Sequence, residues 1–96
     1  MVIKGLDFFK TCFACPEQYD VFDENENLVG YVRLRWGGLT CKYPDVGGEE
    51  IYYASIGDGW TGEFKSEEQR MKHLNKIADR ILEKIRKENK HGKKWI

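Results

Sequence analysis

Helical periodicity is confined to one stretch of this chain, and that limits the fold more than any other feature. Within residues 66–89, Met71, Leu74, Ile77, Ala78, Ile81, Leu82 and Ile85 recur at steps of three and four, an apolar stripe wide enough to cover a sheet. Lys72, Lys76, Arg80, Lys84 and Lys87 fall away from that stripe. Ser66 with Gln69 three residues later forms a capping box, and Glu67 and Glu68 suit the positive end of the helix dipole. Gly92 and the basic residues 90–96 mark a frayed exit. A lone amphipathic helix must bury its stripe against something, and in a chain of 96 residues the remaining material is a set of period-two segments.

Those segments read as strands. Residues 19–22 are aromatic and β-branched, and Asp23-Glu24-Asn25-Glu26-Asn27 is a polar turn cluster. From Leu28 the chain alternates, with Gly30, Val32, Leu34 and Trp36 on one face and Tyr31, Arg33 and Arg35 on the other. Gly37-Gly38 supplies a tight turn. Leu39, Cys41 and Tyr43 then alternate with Thr40 and Lys42 until Pro44 stops the ladder. Residues 50–56 are a further strand, dense in Ile and Tyr. In residues 1–15, Leu6, Phe8 and Phe9 indicate an extra strand or a short docked helix. The expected fold class is α+β in a single domain. Residues 19–56 form a three- to four-stranded antiparallel meander, residues 57–65 a Gly-rich acidic loop, and the C-terminal helix packs on one face.

Charge is distributed unevenly behind a formal net charge of zero, from 16 Lys+Arg and 16 Asp+Glu. Residues 1–44 sum to −1; residues 45–69 hold seven acids against Lys65, a sum of −6; residues 70–96 hold ten bases against three acids, a sum of +7. No apolar run approaches the roughly 20 residues of a membrane helix. The N-terminus has neither the basic nor the apolar region of a signal peptide, and the three cysteines are an odd set. The expectation is a cytoplasmic protein without membrane contact or a disulfide scaffold.

Two motifs invite chemistry and are set aside on context. Gly57-Asp58-Gly59-Trp60-Thr61-Gly62 satisfies G-x-G-x-x-G, but the helix cap comes four residues after the last glycine and no second strand follows. Cys12-x-x-Cys15 with Cys41 and either His73 or His91 would make a Cys3His zinc set, yet it lacks a second knuckle, and Cys41 alternates onto the apolar face. The expectation is no metal and no cofactor. Two histidines, neither near a nucleophile or paired carboxylates, point to a non-enzymatic protein.

Two surfaces remain. Tyr31, Arg33, Arg35, Thr40 and Lys42, with Tyr52, would interleave aromatics and bases on an open sheet face, a pattern that stacks nucleobases and holds phosphates. The outline invites comparison with double-stranded-RNA-binding modules, but their basic helix-start loop is acidic here. Asp45, Glu49, Glu50, Asp58, Trp60 and Glu63 would instead set carboxylates around an aromatic anchor, a surface that docks into a basic groove.

The run Cys15-Pro16-Glu17-Gln18-Tyr19-Asp20-Val21-Phe22-Asp23, the strand Tyr31-Val32-Arg33-Leu34-Arg35-Trp36-Gly37 and the stretch Tyr43-Pro44-Asp45-Val46-Gly47-Gly48-Glu49-Glu50-Ile51-Tyr52 resemble small accessory proteins of bacteriophages and prophages. The resemblance spans residues 15–85 and transfers no residue role. What it implies is context: such proteins, anti-CRISPR inhibitors among them, block a host defence nuclease or signalling component in the host cytoplasm. The sequence therefore supports first a phage-encoded inhibitor of a host defence protein acting through the acidic set. The alternative is a nucleic-acid-binding protein using Tyr31, Arg33, Arg35, Lys42 and the basic helix face. A homodimer through the helix stripe or a sheet edge is compatible with either.

Overall fold

The computed structural model describes residues 1–12, 17–56 and 64–92. Six strands precede one helix: β1 (Val2–Ile3), β2 (Leu6–Cys12), β3 (Glu17–Phe22), β4 (Leu28–Arg35), β5 (Gly38–Tyr43), β6 (Glu49–Ser55) and α1 (Glu67–Gly92). The strands pair antiparallel in sequence order, so each neighbour in space is also the neighbour in the chain. The class is α+β as expected, but the sheet has six strands rather than three or four.

The additional pair comes from the N-terminal segment, where Lys4 and Gly5 both take left-handed φ, 55° and 85°, and close a two-residue hairpin that sets Ile3 opposite Leu6. The same device joins β4 to β5. Trp36 and Gly37 have φ of 54° and 72°, with Arg35 opposite Gly38. The turn thus falls one residue before the expected Gly37-Gly38, and Trp36 leaves the core face for the hairpin tip, 63% exposed. Helix α1 starts as its cap dictates: the Gln69 amide donates to Ser66 Oγ at 3.1 Å, and Gln69 Oε1 accepts from the Lys65 amide at 2.8 Å. Among the described residues no helix is long and apolar enough to cross a membrane.

One helix covers the inner face because the sheet curls around it. A flat six-stranded sheet would hold its edges roughly 24 Å apart, twice the width of a helix. Here Cα atoms of both β1 and β6 lie within 8 Å of those of α1. Lys4 and Asp79 pair at 2.6 Å beside one edge, and Glu49 and Lys84 at 2.5 Å beside the other. Register shifts in β2 at Lys10/Cys12, between β3 and β4 at Val21/Phe22, and between β5 and β6 at Cys41/Lys42 supply the local twist that such curvature needs. The trough encloses Leu6, Phe8, Val21, Val32, Leu34, Leu39 and Cys41 against Leu74, Ile77, Ala78 and Ile81, all at most 2% exposed.

Two features fix where the helix lies. At Gly30 a Cβ would stand 2.8 Å from Ile81 Cδ1 and 3.3 Å from Val21 Cβ, so the bare strand backbone is what lets the helix approach. Near the helix start, buried Glu17 accepts from Arg70 Nε at 2.8 Å and Nη2 at 3.1 Å and from the Tyr19 hydroxyl, while Arg70 also donates to Glu67. Burial alone would raise the Glu17 pKa, but the hydrogen bonds from Arg70 and Tyr19, with the charge of Arg70, outweigh it and hold the carboxyl below 4.5.

Gly30→Ala gains about 0.4–1 kcal/mol from a stiffer unfolded chain and loses about 1–3 kcal/mol to overpacking, so urea titration should show a net loss. Adding Ile81→Val, which removes the crowded Cδ1, recovers part of that loss; a stabilised Gly30→Ala protein contradicts the packing. For Glu17, a folded pKa below the unfolded value means that its contribution is complete above pH about 4.5 and fades as pH falls through the folded pKa. Urea titrations repeated down this range should show a decline that is shallower in Glu17→Gln. Arg70→Leu, which strands the buried carboxylate, costs about 3 kcal/mol at neutral pH, the low end for a buried pair because the guanidinium keeps some solvent contact.

Candidate nucleic-acid interface

Since α1 fills the concave side, no described element covers the convex side of the sheet, and strand pairing arranges its side chains in rows. Along one row stand Phe9, Asp20, Tyr31, Lys42 and Glu50; along the next, Gln18, Arg33, Thr40 and Tyr53. Arg35 follows opposite Gly38, and its guanidinium carbon lies 6.0 Å from the Trp36 ring centre. The Tyr31 hydroxyl donates to Gln18 Oε1 at 3.2 Å and so orients its ring within the face. Tyr31, Arg33, Arg35, Thr40 and Lys42 are thus brought together as the alternation implied.

Tyr52 is not among them. The irregularity at Cys41/Lys42 sets Cys41 opposite Tyr52 but Lys42 opposite Glu50, leaving Ile51 as the extra residue. Tyr52 consequently faces inward, where its hydroxyl and His73 Nδ1 are hydrogen-bonded at 2.9 Å. Tyr53 takes the outward place, 62% exposed. Phe9, 59% exposed, and Trp36 extend the aromatic content of this surface and were not assigned to it by the sequence. The signal for Phe9 was its alternation with Leu6 and Phe8; for Trp36 it was an X-Gly turn pair. Local sequence carries no signal for Tyr53, because Ile51-Tyr52-Tyr53 fits either parity.

The acidic set is divided where it is described. Glu49 faces the helix in its ion pair with Lys84, whereas Glu50 lies on the convex face opposite Lys42. Asp45 shapes the turn before β6, accepting from the Gly47 amide at 2.9 Å through Oδ1 and from the Gly48 amide at 2.9 Å through its carbonyl. Asp58, Trp60 and Glu63, with the whole G-x-G-x-x-G stretch, lie outside the described residues. The opposed charge blocks of the sequence therefore partly neutralise one another in space, through Glu49 with Lys84 and Glu67 with Arg70.

The alternative reading joins Arg33, Arg35 and Lys42 with the basic helix face, and the structure sets these two basic surfaces on opposite sides of the sheet. On the helix, Lys84 is tied to Glu49 and Lys87 to Glu83. Of the zinc candidates, Cys41 is fully buried in the core, and burial pushes its thiol up to about 12. His73 packs between Tyr52 and the Phe64 ring, stacked on the latter at 6.1 Å. Burial, then the charges of Lys76 and Lys72, lower its pKa. The side chains of Cys12 and His91, and all of Cys15, lie outside the described residues. Among the described residues no three His, Cys, Asp or Glu side chains converge as a metal site. A cleft lined by Phe8, Phe9, Lys10, Tyr19, Glu67 and Arg70 opens beside the buried pair, but Arg70 is already committed there to Glu17 and Glu67.

No protein-family model, no curated protein and no solved structure matches the chain. The site rests on its own geometry: a convex sheet face, covered by no other element among the described residues, that carries three cations (Arg33, Arg35 and Lys42) and the exposed or half-exposed rings of Phe9, Tyr31, Tyr53 and Trp36.

Proposed function

We propose that the protein binds single-stranded nucleic acid across the convex face of its sheet. The observation that carries this reading is the pair of adjacent rows in which Tyr31 and Tyr53 stand beside Arg33 and Lys42, continued by Arg35 and Trp36 at the hairpin tip. Unstacked bases can lie on the rings, each such contact contributing about 1–3 kcal/mol, while the guanidinium groups meet phosphates between them. Paired bases cannot do this, since their faces are already stacked. A convex surface also encloses no compact ligand, and so favours an extended, flexible strand.

Charge sets the expected strength. Arg33, Arg35 and Lys42 are offset locally by Asp20 and Glu50, so stacking contributes more than phosphate contact and affinity is modest. Neutralising three phosphates of a single strand gives a logarithmic salt slope of about −2. The acidic set remains the basis of the inhibitor reading, but its described members present no shared surface.

Fluorescence anisotropy with labelled single-stranded and duplex oligonucleotides of DNA and RNA at two salt concentrations tests the proposal. Single strands should bind in the micromolar range and duplexes much more weakly. Tyr31→Ala and Tyr53→Ala should each weaken binding at least fivefold, and Arg33→Glu/Arg35→Glu should abolish it. Equal binding of duplex, indifference to these substitutions, or no binding of any strand would overturn it. Capture of a host protein that depends on Asp45 and Glu50 would return the function to the acidic segment.

A further inference from the structure

The two edges of the sheet are unlike. On the β2 side the edge is broken: β1 pairs only with Leu6 and Asp7, the chain terminus reaches across with its amine on Asp7 at 3.2 Å, and Lys10 sits at a register shift. These are the devices that keep a strand edge from pairing with another chain. The β6 side has none of them over Tyr52–Ser55. That stretch contains no Lys, Pro, Gly or irregularity, and among the described residues no strand lies beyond it.

We infer that β6 pairs antiparallel with β6 of a second copy of this chain, about a two-fold axis at Tyr53. Side-chain parity selects that register. Tyr53 faces outward and Tyr52 and Ala54 inward, so centring on Tyr53 sets Tyr53 opposite Tyr53 on the convex face and Tyr52 opposite Ala54 on the helix side. Centring on Tyr52 would set inward Ala54 against outward Glu50. The Tyr53-centred register also separates like charges: Glu49 and Glu50 of each copy fall beyond the paired segment, at the partner's Ser55 end. It covers a ring that is 62% exposed in the single chain. A formal net charge of zero adds no long-range repulsion between copies. On the helix side the charge of Arg80 acts on Tyr52, and those of Lys76 and Lys72 on its partner His73, so each copy brings cations of like sign and the pair is expected at physiological salt, where the screening length is about 8 Å.

The consequence is one continuous twelve-stranded sheet in which the row Gln18, Arg33, Thr40 and Tyr53 runs on through Tyr53, Thr40, Arg33 and Gln18 of the second copy. A single added ladder buries little area, which places the dimer among weak, concentration-dependent interfaces. This inference does not depend on the nucleic-acid reading, because its readout is mass alone.

Sedimentation equilibrium of the full chain from micromolar to millimolar concentration, without nucleic acid, tests it. The mass should rise from one chain towards two. Tyr53→Lys, which places two like charges across the axis on an already exposed position, should remain a single chain with unchanged thermal unfolding. Thr11→Lys, an exposed change on the opposite edge, should behave as the parent. A single-chain mass at millimolar concentration overturns the inference. So does a dimer that persists in Tyr53→Lys or is lost in Thr11→Lys.

Discussion

The contact between the stripe of α1 and the hollow side of the sheet is the interaction on which everything else in this molecule depends. A flat sheet of six strands is too wide for one helix, and the chain resolves the mismatch by curvature. Irregularities at three strand pairs bend the sheet, Gly30 gives Ile81 room at its middle, and ion pairs from Lys4 and Glu49 hold both edges to the same stretch of helix, at Asp79 and Lys84. The exposed ion pairs contribute little each, so apolar burial sets the stability and the polar ties set the helix position. Glu17 with Arg70 and Tyr19 is the exception, a buried tie whose loss leaves an unpaired charge.

The same curvature creates the candidate site. Once the helix occupies the concave side, no other described element covers the convex side, and its outward residues include the rings of Phe9, Tyr31 and Tyr53 and the guanidinium groups of Arg33 and Arg35. The proposed binding surface and the core therefore lie on opposite faces of one sheet. Substitutions at Tyr31, Arg33, Arg35 or Tyr53 should separate binding from folding, because these side chains are outside the core.

Much of this was legible locally. The capping box of Ser66 and Gln69, the stripe from Met71 to Ile85, and the alternation in β4 and β5 are short-range signals, and the structure follows them. Three things were not. The β1–β2 hairpin depends on a Lys4-Gly5 turn whose left-handed φ is visible only with the pairing it closes. Extending the alternation of β4 by one residue set Trp36 in the core, whereas the turn takes it out. The inversion of Tyr52 and Tyr53 arises from a shift of register against β5, a property of two strands that neither strand records alone. The charge blocks are a property of the linear sequence, but folding brings Glu49 to Lys84 and sets Glu50 on the other face, opposite Lys42.

Residue-resolved NMR reads out the proposed binding surface on the convex sheet face residue by residue. Titrating an isotope-labelled sample with an unlabelled single-stranded oligonucleotide should shift the amides of Tyr31, Arg33, Arg35, Thr40 and Tyr53 and the Trp36 indole together, and leave Lys72, Lys76 and Arg80 on the helix unmoved. Shifts confined to the helix face, or none at any residue of the sheet, would contradict it.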